Sequence, residues 1–170
     1  NMKSYETEQM VTTSIHIKSS DIFKTKNING LISYHLKNSI EGVCGKYGYV
    51  VPDSVKVIKR SIGKIITHNN ENKTEYDVTY KMRVICPNKG DKLECNINSI
   101  TKMGIIAYLK SSNTDDDIKE SPILVIIPQE YTGDKSIDQY KEGQSIDITI
   151  LESRIKYRST QIQTVGRIES

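Results

Sequence analysis

The sequence predicts an α+β protein in two parts, an antiparallel sheet carrying one helix and then a barrel of short strands. Three observations point to it. Apolar residues recur at helical spacing between residues 28 and 40. From Tyr76 to Cys86 the chain alternates with a period of two. Past Pro87-Asn88-Lys89-Gly90 it divides into short apolar runs separated by turn-forming residues.

In chain order, residues 10–18 place Val11, Thr13, Ile15 and Ile17 on one face and read as a strand. Asn27 is suited to cap a helix whose stripe is Ile28, Leu31, Ile32, His35, Leu36, Ser39 and Ile40. That spacing belongs to a helix packed on a sheet along one side, and Gly42 is placed to end it. Pro52-Asp53 marks a turn before a strand region from Val55 to Ile66, in which Gly63 predicts a bulge or bend. His68 to Lys73 is polar and reads as a hairpin loop. In the next strand Tyr76, Val78, Tyr80, Met82, Val84 and Cys86 face one way, towards a core, and Asp77, Thr79, Lys81, Arg83 and Ile85 the other, towards water. The break at residues 87–90 is the predicted boundary between domains over 1–87 and 88–170.

The second part holds strands predicted over 91–100, 103–110, 122–128, 144–155 and 159–168. Ser111 to Ser121, with Asp115-Asp116-Asp117, reads as a solvated loop, and Ser136 to Lys141 as one helical turn. Five short strands with a helical turn between the third and fourth are the layout of an OB-type Greek-key barrel.

Composition narrows the function. Charged residues are 26% of the chain, which suits a soluble protein of one or two compact domains. No apolar run is long enough to span a membrane. Asn1, ahead of Met2, is set aside, and the residues after it, with Lys3, Glu6 and Glu8, carry no apolar stretch of the kind a secretory signal needs. Cys44, Cys86 and Cys95 lack paired spacing and read as small hydrophobes in a reducing compartment rather than as a zinc site or disulfide framework. His16, His35 and His68 lie in separate segments without ligand spacing. No metal or cofactor is expected. The acidic run lacks the spacing of a calcium loop, and no P-loop, nucleophile-elbow, zinc-protease or dinucleotide fingerprint is present. Glu152 and Arg154 read as a cross-strand ion pair rather than an acid–base pair. Catalysis and a small-molecule substrate are therefore not expected. A net charge of +3 permits salt-sensitive contact with phosphates.

Barrels of this layout lay single strands across their second and third strands, on aromatic platforms flanked by cations. Ile106, Tyr108 and Lys110 share a face of the predicted second strand, with Lys102 and Met103 at its start. Arg154, Lys156, Tyr157 and Arg158 cluster at the hairpin joining the last two strands. These are the candidate RNA-binding residues. The competing reading is a solvated hairpin blunted by charge.

The barrel half resembles the RNA-binding OB domain repeated in the large ribosomal small-subunit protein. The resemblance runs from Gly90 through Lys102-Met103-Gly104-Ile105-Ile106 and Ser121-Pro122-Ile123-Leu124-Val125-Ile126-Ile127-Pro128 to Lys141-Glu142-Gly143-Gln144. It implies aromatic contacts at Met103 and Ile106, and a histidine at or near Ile126. All three are aliphatic here and lack the π-face worth about 1–3 kcal/mol per stacked base. RNA contact is therefore expected to be weak and mainly electrostatic. Glu152 keeps that family's acidic position after the fourth strand, with Arg154 close behind.

The first half carries Glu41-Gly42-Val43-Cys44, Gly48-Tyr49-Val50, Val55-Lys56-Val57-Ile58 and Gly63-Lys64-Ile65. In that order, with the barrel behind them, these segments make residues 10–168 similar to the stalk subunit of multisubunit DNA-directed RNA polymerases. That family includes the archaeal E-prime polypeptide and the seventh subunit of the eukaryotic enzymes, and the compact length and acidic insertion look like the versions in large DNA viruses. The resemblance implies a non-catalytic subunit whose tip domain, over 1–87, docks on the polymerase core, while the barrel, over 88–170, lies near the exiting transcript. Docking is expected at the turn holding Gly42, Cys44, Tyr47, Gly48 and Tyr49. Its glycines admit close approach and its tyrosines suit an interface; the competing reading has both rings covering the protein's own sheet. The implied partners are other polymerase subunits, a second stalk subunit where one exists, and nascent RNA. The implied location is the cytoplasm or nucleus, or host cytoplasm and virion for a viral protein. Two other functions stay open: a free-standing single-strand RNA-binding module in translation or RNA processing, and a purely structural interaction protein.

Overall fold

The computed structural model describes residues 2–110 and 117–169, so Asp115 and Asp116 of the acidic run lie outside the described residues. In chain order the elements are β1 (Glu6–Lys18), α1 (Ser19–Lys24), α2 (Ile28–Ile40), β2 (Cys44–Gly45), β3 (Gly48–Val50), β4 (Lys56–Arg60), β5 (Lys64–His68) and β6 (Glu71–Ile85). There follow β7 (Lys92–Thr101), β8 (Gly104–Leu109), β9 (Ile123–Pro128), β10 (Ser145–Arg154) and β11 (Ile162–Ile168). The chain forms two compact units that alternate along the sequence. One comprises Glu8–Glu41 and Val50–Val84, the other Asn1–Thr7, Gly42–Tyr49 and Ile85–Ser170. The turn at Gly42–Tyr49 thus belongs to the same unit as the barrel.

In the first unit β6 is the spine, pairing with β1, β4 and β5. Its alternation turns Tyr76, Val78, Tyr80, Met82 and Val84 inward, against Ile17, Ile22, Ile32, Leu36, Val50 and Val55, but ends with the strand: Ile85, expected in water, is buried, and Cys86 is half-buried. The opposite face of β1 and β6 carries a polar ladder. Thr12 and Thr79 share a hydrogen bond of 2.8 Å, Ser14 donates to Asp77 at 2.8 Å, and His16 Nε2 lies 2.8 Å from Glu75. Asn27 caps α2 as predicted, its Oδ1 accepting the Gly30 N–H at 3.0 Å, and Gly42 takes a left-handed φ of 76° just past the helix end. The buried ridge of α2 is narrower than its stripe: Ile32 and Leu36 are enclosed, while His35 and Ser39 on its flank are exposed.

The region from Val55 to Ile66 is two strands, and its bulge falls between Val57 and Lys59 rather than at Gly63. Gly63 instead makes room for a ring, since a Cβ there would meet the Tyr76 side chain at 2.8 Å. The expected loop at His68 to Lys73 is shorter, because β5 and β6 stay paired as far as His68 and Glu71. Asn69 and Asn70 alone make the turn, with φ of 51° and 61°. Two consecutive positive φ angles give a hairpin turn whose twist matches its strands.

In the second unit β7, β8 and β9 form an antiparallel meander. Strand β9 pairs in parallel with β11, and β10 pairs antiparallel with both β11 and β7, closing the barrel. This connectivity is consistent with an OB-type barrel. The interior is mainly branched aliphatic: Ile97, Ile105, Ile123, Val125, Ile127, Ile148, Ile150 and Ile162 are all enclosed. β-branched residues pack well on a pleated surface, which is why these segments form strands. Gln161 ties the parallel seam, donating to the carbonyls of Ile118 and Ser121. The predicted turn at Ser136 to Lys141 is a 3-10 turn, Ile137–Gln139, held by a capping box between Ser136 and Gln139. No helix among the described residues is long and apolar enough to cross a membrane.

Candidate nucleic-acid interface

The outer face of β8 carries Ile106 and Tyr108, which lie opposite Ile126 and Leu124 of β9. Ile106 is half-buried and Ile126 exposed. Tyr108, expected to offer its ring to RNA, is only 8% exposed, so little of its surface is open to a base. Lys110 Nζ lies 3.4 Å from Glu94, which partly neutralises it. Lys102 and Met103 project from the β7–β8 turn, Met103 with 85% of its surface in solvent. The face is thus aliphatic and weakly charged. Glu152 sits opposite Val165 beside a register shift, and Arg154 opposite Gln163. The cross-strand ion pair expected of Glu152 and Arg154 is not formed, because each faces an uncharged residue of β11.

The β10–β11 hairpin is different in kind. Arg154, Lys156, Tyr157 and Arg158 are all exposed, Tyr157 by 74%. Residues 153–161 contain no acidic side chain. Arg158 adopts a left-handed φ of 70°, unusual for a residue with a side chain. Its N–H donates to the Cys44 carbonyl at 2.9 Å, and the Cys44 N–H donates to the Ser159 carbonyl at 2.8 Å. Both backbone polar groups of Cys44 are therefore bound to the hairpin turn. The fold brings together two segments distant in sequence, the turn expected to dock on a partner and the hairpin expected to meet RNA.

Within that turn β2 and β3 pair Cys44 with Tyr49 and Gly45 with Gly48. Cys44, Gly48 and Tyr49 are buried and Gly42 half-buried. A Cβ on Gly48 would come 2.4 Å from the Ile85 carbonyl oxygen, so the close approach that glycine permits here is made by the protein's own strand. Burial pushes the Tyr49 hydroxyl and the Cys44 thiol above their ordinary pKa values, which keeps both neutral. Tyr47 is the expected docking residue that reaches solvent, 38% exposed. Sequence reasoning passed over Lys46, whose Nζ lies 5.6 Å from the centre of the Tyr47 ring. Its signal was adjacency: a cation beside an aromatic in a turn without acids.

Among the described residues no group of His, Cys, Asp and Glu is placed to hold a metal ion. No protein-family model matches the chain, and no curated protein matches its sequence.

Proposed function

We propose that the protein is a non-catalytic stalk subunit of a DNA-directed RNA polymerase, which docks on the polymerase core and holds its barrel towards single-stranded transcript. The observation that carries the RNA-facing part is the β10–β11 hairpin, where Arg154, Lys156 and Arg158 surround an exposed Tyr157 with no carboxylate in the segment. Cations that follow a phosphate backbone and a ring on which a base stacks are the working parts of single-strand recognition. The closed barrel supports the reading, since barrels of this type serve single-strand binding widely. The segments Glu41–Cys44, Gly48–Val50 and Gly63–Ile65 support the polymerase part by resemblance.

Affinity purification of the tagged full-length chain from the cells that make it, followed by mass spectrometry, tests the assignment. Recovery of the very large polymerase subunits is the expected result. Recovery of ribosomal or RNA-processing proteins in their place would overturn it in favour of a free-standing RNA-binding module.

A further inference from the structure

We infer that Lys46 and Tyr47 belong to the same single-strand surface as Tyr157 and Arg158, so that two turns form one stacking platform for unpaired RNA. The inference rests on the reading of the hairpin as RNA-facing and deepens it by assigning further contact residues.

The first support is mechanical. Cys44 is fully buried and binds the hairpin through both its N–H and its carbonyl. Two hydrogen bonds at one residue fix the backbone of the β2–β3 turn against residues 158 and 159, which brings the exposed Lys46 and Tyr47 within a few residues of that junction. The left-handed Arg158 lies within this junction and is pinned there by the Cys44 carbonyl. A backbone in that region persists when surrounding structure holds it, and such positions concentrate at functional sites.

The second support is chemical. The platform combines Tyr47 and Tyr157, two rings left partly in water, with Lys46, Arg154, Lys156 and Arg158. Neither residues 42–51 nor residues 153–161 contain a carboxylate. Rings interleaved with cations fit a polyanion with stackable bases, and Glu120, whose charge helps raise the Tyr49 hydroxyl, is the nearby carboxylate such a strand would pass. With Cys44, Gly48 and Tyr49 buried, the exposed side chains of this turn are Lys46 and Tyr47.

The test uses the full-length chain and a fluorescein-labelled oligo(U) strand, read by anisotropy at low salt. Circular dichroism and thermal melting establish that each variant is folded. Tyr157→Ala and Tyr47→Ala should each weaken binding about fivefold or more, and Lys46→Glu, at an exposed site, should weaken it as well. Oligo(U) affinity within twofold of wild type for folded Tyr47→Ala and Lys46→Glu, with Tyr157→Ala weakened, would overturn the inference. So would loss of polymerase subunits from a Tyr47→Ala purification with oligo(U) binding intact, which assigns the turn to protein docking. Absence of any oligo(U) binding by wild type removes the RNA-facing hairpin together with this inference. Weakened binding by both tyrosine variants without polymerase subunits in the purification upholds the platform and removes the stalk assignment alone.

Discussion

Cys95 faces the barrel interior, and burial, aided by Asp147 and Glu94, pushes its thiol up to about 12. Tyr5 is likewise raised to about 12, by burial first and then by Glu6 and Cys95. In the unfolded chain these groups ionise near about 8.5 and 10. Their contribution to stability is complete below about pH 8.5. It is lost as pH rises towards 12, where the unfolded chain sheds protons that the fold retains. Urea midpoints should therefore fall between pH 8 and pH 10.5, and a midpoint unchanged over that range would contradict the buried, neutral thiol. Gly48 makes a steric prediction in the same unit. Its φ is 130° and a Cβ would meet the Ile85 carbonyl at 2.4 Å, so Gly48→Ala should cost about 2–3 kcal/mol. For a chain of this size that lowers the melting temperature by about 5–10 °C; a shift under about 1 °C would mean the turn relaxes freely.

Elements followed their residue patterns where one face was buried and the other wet. Tyr76 to Val84 alternate and form the interior of β6, and the branched aliphatics of residues 91–168 line the barrel. Helix α2 begins where Asn27 predicts, so Asn27→Ala should destabilise the protein by about 1 kcal/mol. Chemical denaturation measures this, and no loss would show that another group satisfies the Gly30 N–H. What local pattern could not reveal was pairing. The Asn69–Asn70 turn is tight because β5 and β6 stay in register to its edge, and Gly63 is required by the Tyr76 ring across the sheet. The short helix α1, Ser19–Lys24, gave no periodic signal over so few residues.

Over the whole molecule the net charge is only +3, so binding of a polyanion depends on where the cations are gathered. Lys46, Arg154, Lys156 and Arg158 all belong to the barrel's unit and are exposed. About four phosphate contacts to a single strand give a log–log salt slope of about −3, or about fiftyfold weaker binding from ~50 to ~200 mM salt. Oligo(U) affinity independent of salt over that range would point to base contacts in place of these cations. The long alternating strand, the helix with its cap and a barrel of five short strands were legible in the sequence alone, because periodicity and turn chemistry act within a few residues. The candidate site was legible only in part. Residue type marked Arg154 to Arg158 as a cationic, aromatic cluster, but Tyr108 and Tyr49 carry the same sequence signal and are buried. Tertiary structure decided which rings reach water. It also decided that Cys44, more than a hundred residues from Arg158 along the chain, binds the hairpin turn with both its backbone groups, since hydrogen bonds between distant segments leave no trace in local spacing.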